Sequence, residues 1–214
     1  MRGGAGRPCP LHEFRIRAVR FGRIHISSGF FLLCSWLLYR DSTGAVWQGL
    51  LACALHEFGH WYMLRIFSTD IKCIYITAHG AKMEFENRLS YIEECFAAAA
   101  GPCVNLALAF ACSRLLHMPV FAGVNLALAL FNLLPIGPLD GARIVYCLIA
   151  QFTDESMSYR ICRCVTFSFT LFFGVLGIII ALHGGNLTLF FVCLWLLIGA
   201  PSEFPAKFDQ KEWK

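Results

Sequence analysis

Charge is scarce in this 214-residue sequence. Charged side chains make up 15% of it, against roughly a quarter in ordinary soluble domains. Hydrophobic residues make up 57%, twenty of them Phe, and the mean hydropathy is +0.60. A chain so poor in polar groups is not a disordered or acidic tail, and it lacks the side chains to cover a soluble monomer. Internal repeats and low-complexity segments are also missing. The cysteines are not scarce, but their count is odd at eleven and most stand inside apolar runs (Cys34, Cys53, Cys103, Cys112, Cys193). They read as small hydrophobes rather than a disulfide framework. Cys162 and Cys164 flank Arg163 with no local partners for a structural zinc. The net charge of +4 does not call for nucleic acid; in so apolar a chain it points to membrane topology.

What is present is a series of apolar runs near the 17–25 residues that cross a bilayer as helix. They cover about 24–39, 45–66, 90–117, 120–152, 165–182 and 187–200. The fourth is interrupted at Pro135-Ile136-Gly137-Pro138. A cleavable signal is the rival reading of the first, but the leader is long and no small-x-small site follows Tyr39. All Lys and Arg except Arg40, Arg114 and Arg143 fall on one side of a six-span layout, which places both termini in the cytoplasm. Between runs two and three, Lys72–Glu86 is β-prone with period-two alternation around His79-Gly80 and reads as a short hairpin at the membrane interface, an amphipathic loop being the competing reading. The predicted fold is therefore an all-α polytopic membrane protein of six transmembrane helices, the fourth broken, with a membrane-associated β-hairpin between helices two and three. Its parts are a basic cytoplasmic leader (1–23), a membrane core (24–200) and a short cytoplasmic tail (201–214).

The chemistry concentrates in His56-Glu57-Phe58-Gly59-His60. On a helix, residues four apart share a face, so both imidazoles reach one ion, and Glu57 stands beside them to act on a water. Ionisable groups in an apolar span are expensive and mark functional sites. Catalytic zinc takes three protein ligands. Asp140 is the other acidic residue deep in an apolar run, and it follows a stretch whose prolines and glycines unwind the helix. Counting from the cytoplasmic ends of their runs, His56 and Asp140 lie ~15 Å and ~18 Å deep, within one turn of each other. The alternative role for Asp140 is to cap the helix that follows. Glu93 and Glu94 suit a helix N-terminus, Gly101 suits close helix packing, and Arg143 either pairs with Asp140 or snorkels.

HEFGH on a membrane helix, followed by Asn-Leu-Leu-Pro-Ile-Gly-Pro-Leu-Asp-Gly (132–141), resembles the site-2 protease family of intramembrane zinc metalloproteases, its stage IV sporulation protein FB branch above all. Ala100-Gly101-Pro102 with Asn105 matches a further family feature. The resemblance spans about 24–200. It implies zinc as cofactor, His56, His60 and Asp140 as its ligands, Glu57 as general acid/base, and Asn132 and Pro135 near the substrate strand. It also implies a membrane-associated regulatory protein as substrate, a sigma-factor precursor during sporulation in this branch, and membrane-embedded inhibitory regulators as partners beside the lipid bilayer. Members of that branch commonly carry a nucleotide-sensing domain after the core, where only 201–214 follow in this sequence, a departure from the branch's pattern.

In the implied mechanism zinc activates water and polarises the scissile carbonyl, and Glu57 moves a proton from that water to the leaving amine. Free backbone at 135–138, or the hairpin at 72–86, pairs with an unwound substrate by strand addition. Two readings stay open beside it: a metal or proton transporter using the same buried residues at a broken helix, and a membrane scaffold without activity.

Overall fold

The structure is a computed structural model that describes residues 18–21, 24–68, 71–77, 80–85, 89–185, 187, 190–194 and 196. His79, most of the basic leader and the tail lie outside the described residues. The elements in chain order are β1 (Ala18–Phe21), β2 (Ile24–Ser27), α1 (Ser28–Arg40), α2 (Ala45–Ile66), β3 (Ile71–Thr77), β4 (Gly80–Phe85), α3 (Tyr91–Arg114), α4 (Pro119–Asn132), α5 (Asp140–Ala150) and α6 (Glu155–Leu182). Residues 190–194 are helical as well. The chain divides into two compact units, residues 1–42 with 70–86, and residues 43–69 with 87–214.

The first unit holds a four-stranded sheet in the order β1-β2-β3-β4. β1 and β2 are antiparallel, β2 and β3 parallel, and β3 and β4 antiparallel with an irregularity between Ile71 and Cys73. Here the structure departs from the predicted first span. Residues 24–27 are strand rather than helix, and Ala18–Phe21, read as plain leader, pairs with them. The β-branched Ile24 and Ile26 favour a pleated surface, and the helix begins only where Ser27 caps it, its hydroxyl accepting from the Gly29 amide at 3.2 Å. α1 is then 13 residues long, or ~20 Å, short of a bilayer core.

The second unit is helical, and α3 is its centre, with α2, α4 and α5 all packed on it. A capping box starts α3: the Ser90 hydroxyl accepts from the Glu93 amide while the Glu93 carboxylate accepts from the Ser90 amide, satisfying two of the orphan donors at the helix start. The fourth run is broken as its prolines demand, α4 ending at Asn132 and α5 starting at Asp140. The fifth helix starts ten residues before the apolar run does, at Glu155, so Arg160 and Arg163 belong to a helix and not to a loop. Apolar periodicity is blind to this polar first turn. Among the described residues two helices, α3 and α6, are long and apolar enough to cross a membrane. Of the other expected spans, α1, α4 and α5 are short, α2 carries the ionisable cluster, and the sixth, 187–200, lies largely outside the described residues. α6 leaves Leu171, Phe172 and Leu182 more than half exposed.

Burial is spread over three small clusters. One joins Ala52, Cys112, Phe121 and Ala122 across α2, α3 and α4. A second gathers Ala142, Tyr146, Cys147, Ala150 and Cys162 on α5 and α6. The third seats Ile136, Leu139 and Leu196 under the break. None of the described cysteines is in a disulfide.

Candidate metal centre

α2 delivers His56 and His60 to one face by their four-residue spacing, and both are buried against α3. α5 delivers Asp140 at its first residue. Leu139, not Asp140, occupies the N-cap position, and no side chain caps the helix, so the capping role is set aside and the carboxylate is free to face the imidazoles. Asp140 Oδ2 lies 3.0 Å from His56 Nε2 and 3.2 Å from His60 Nε2, and the two nitrogens are 3.1 Å apart. These three residues form the one His/Cys/Asp/Glu group among the described residues with metal-site spacing.

Hydrogen bonding decides what this trio wants. His60 Nδ1 donates to the Ala97 carbonyl at 2.7 Å, because a carbonyl only accepts. A neutral His60 therefore presents a lone pair at Nε2. With the hydrogen of His56 on Nδ1, the two Nε2 lone pairs and Asp140 Oδ2 meet within 3.2 Å with no hydrogen among them, an arrangement that a shared cation resolves. Zinc bonds of 2.0–2.1 Å in tetrahedral geometry set neighbouring ligand atoms about 3.3 Å apart, close to the spacing seen. The donor set of two nitrogens and one oxygen fits zinc.

The neighbouring backbone is shaped around these rings. A Cβ at Gly101 on α3 would overlap His60 Nε2 and stand 2.8 Å from His56 Nε2, so this glycine makes room for the two imidazoles themselves. A Cβ at Gly59 would stand 2.9 Å from the Ala100 carbonyl, which shows how closely α2 and α3 approach. Glu57 is half-buried next to His56. Cys53, one turn earlier, is exposed.

Sequence reasoning missed two supports. Glu94, read with Glu93 as a helix-start acid, is buried, and its Oε1 lies 3.4 Å from Arg143 Nη2. Arg143 Nη1 in turn lies 3.8 Å from Asp140 Oδ1, which settles Arg143 as a pairing residue. The available signal was the acidic doublet, of which Glu93 alone suffices to cap. The second support is Thr166 on α6. Its hydroxyl accepts from the Gly137 amide at 3.1 Å and faces the Pro135 carbonyl at 3.5 Å, holding the break in place. A Thr inside an apolar run gives no warning of this. Asn132 ends α4 and Pro135 stands in the break. The Asn132 amide donates to Leu128 O at 3.0 Å within α4, and neither residue takes part in the contacts among the trio.

Comparison with known proteins fits this picture. The model of Peptidase family M50 matches residues 115–177, the part that holds the break and Asp140. Stage IV sporulation protein FB of Bacillus subtilis is 28% identical over 71% of this chain and 56% of its own length. A putative zinc metalloprotease of Synechocystis is 31% identical over 47% of this chain and 30% of its own length. The chain thus spans about half or less of the curated relatives it matches. The site-2 protease from Methanocaldococcus jannaschii has a similar fold, with a TM-score of 0.67 over 87% of this chain and 95% of that one at 20% identity.

Proposed function

We propose, from the match to Peptidase family M50, the likeness to stage IV sporulation protein FB and the shared fold with a site-2 protease, that the chain is an intramembrane zinc metalloendopeptidase of the site-2 protease family cleaving a membrane-associated regulatory protein near the cytoplasmic face. The observation that carries the reading is the meeting of His56, His60 and Asp140 within 3.2 Å, next in sequence to Glu57.

His56, His60 and Asp140 would hold the zinc ion, which when bound supplies Lewis-acid polarisation and water activation. Glu57 is the chain's own proton carrier. Its carboxylate takes the proton of the attacking water and returns it to the leaving nitrogen. Ala97 holds His60 in the tautomer that turns Nε2 toward the ligand cluster. Asn132 and Pro135 are proposed to bind the substrate strand at the break, where irregular backbone at membrane depth must line a cavity or be buried. The distribution of Lys and Arg supports a multi-pass protein of the cell membrane with both termini cytoplasmic. The name of the Bacillus subtilis relative supports a role in sporulation; on this reading the substrate is a sigma-factor precursor and the partners are membrane-embedded regulators.

Glu57→Gln tests the reading. In purified full-length protein in liposomes, zinc content is expected to stay at the wild-type level while cleavage of a membrane-tethered sigma-factor precursor falls at least about a hundredfold. Unchanged cleavage removes Glu57 from the mechanism. Zinc flux that survives Glu57→Gln in a wild-type chain that cuts nothing turns the site into a transporter's.

A further inference from the structure

We infer that Arg143 and Glu94 are a positioning pair that fixes which oxygen of Asp140 faces the metal; this rests on the metalloprotease reading above. The two oxygens of Asp140 have different partners. Oδ2 faces both imidazoles, and Oδ1 faces Arg143 Nη1 at 3.8 Å. With Oδ1 drawn toward a guanidinium, the carboxylate turns Oδ2 toward the imidazoles, so Asp140 is set to bind through Oδ2. An arginine side chain is long, and three residues along the same helix it holds nothing by itself. Its second terminal nitrogen is held by Glu94, a buried carboxylate on α3. Arg143 therefore spans two helices, with a planar fork that reaches two carboxylates at once.

The position of Glu94 on α3 strengthens the case. Ala97 accepts from His60, Gly101 clears space for both imidazoles, and Glu94 anchors Arg143. Residues 94, 97 and 101 follow one another at i, i+3 and i+7, a single stripe on one helix face. One side of α3 thus positions all three metal ligands, His56 and His60 directly and Asp140 through Arg143. Outer partners of this kind typically shift metal affinity by 10–100-fold.

The test is zinc affinity of the full-length protein in detergent, measured by competition with a fluorescent chelator, alongside its thermal midpoint. Arg143→Met is expected to weaken zinc binding about tenfold to a hundredfold. Arg143→Lys is expected to recover only part of that, because a point charge serves one carboxylate. The deciding variant is Arg143→Met with Glu94→Gln. It removes one charge of each sign and leaves neither stranded, so the thermal midpoint returns toward wild type while zinc stays weak. Wild-type zinc affinity in that double variant, or in Arg143→Met alone, overturns the inference and leaves a tie between α3 and α5. A wild-type chain that binds zinc, shows this order of affinities and cuts no substrate supports the pair and sinks the protease reading. A wild-type chain that holds no zinc overturns both.

Discussion

The candidate metal centre is assembled from two opposite kinds of backbone. α2 is an unbroken helix of 22 residues and brings two imidazoles together through its regular repeat alone. The segment from Leu133 to Leu139 is the failure of a helix, and it brings one carboxylate through tertiary support: Thr166 from α6 on the Gly137 amide, and Ile136 and Leu139 packed with Leu196. A repeat needs little help and tolerates little variation. A break needs a scaffold around it, and its ligand is only as well placed as that scaffold.

Three substitutions set this contrast against measurement. The largest effect is expected at the helical half. Gly101→Ala puts a methyl group into the imidazoles, and overpacking at a site that cannot relax costs about 3 kcal/mol. Since α2 holds both rings at fixed spacing, the loss should appear as zinc affinity lower by about a hundredfold in chelator competition. Unchanged affinity would show that α2 shifts as a body. Next comes Gly141→Ala in the broken half. There a Cβ would overlap the backbone carbonyls of Leu133 and Leu134, which cannot rotate away as a side chain does. About 2 kcal/mol of stability should be lost, read as a lower thermal midpoint, with zinc released early in the melt because Asp140 adjoins Gly141. The smallest is Thr166→Val, which keeps the shape and strands the buried Gly137 amide. The cost is about 1–2 kcal/mol. If the break depends on its scaffold, zinc affinity falls with stability; a fall in stability alone would mean that the prolines suffice.

That contrast also explains how much was legible in the sequence. His56, Glu57 and His60 follow from spacing, because a helix converts sequence distance into direction. Asp140 follows from depth, which the lengths of two apolar runs supply. The break is written in Pro135 and Pro138. What stayed hidden depends on partners distant in the chain. Arg143 stood between two readings because its choice rests on Glu94, 49 residues earlier. Thr166 has no periodic signature, being one polar atom in an apolar helix. The strands at 18–21 and 24–27 were masked by the arginines around them, which read as a basic leader, while the apolar Ile24 and Ile26 read as the start of a span. Their strand character is realised by pairing, β1 with β2 and β2 with β3, some fifty residues away. The polar first turns of α6 were hidden for the opposite reason, since hydropathy registers where a helix turns apolar and not where it begins.

Gly59 has a mechanical consequence. With no side chain at that position, α2 lies so near the Ala100 carbonyl that a single methyl group would stand 2.9 Å from it. Such a seam offers no rotamer that can swing aside, and the proton shared between His60 and Ala97 crosses the same joint. It behaves as a weld rather than a hinge. On the protease reading, a substrate reaching Glu57 comes from some other flank of α2 than this joint.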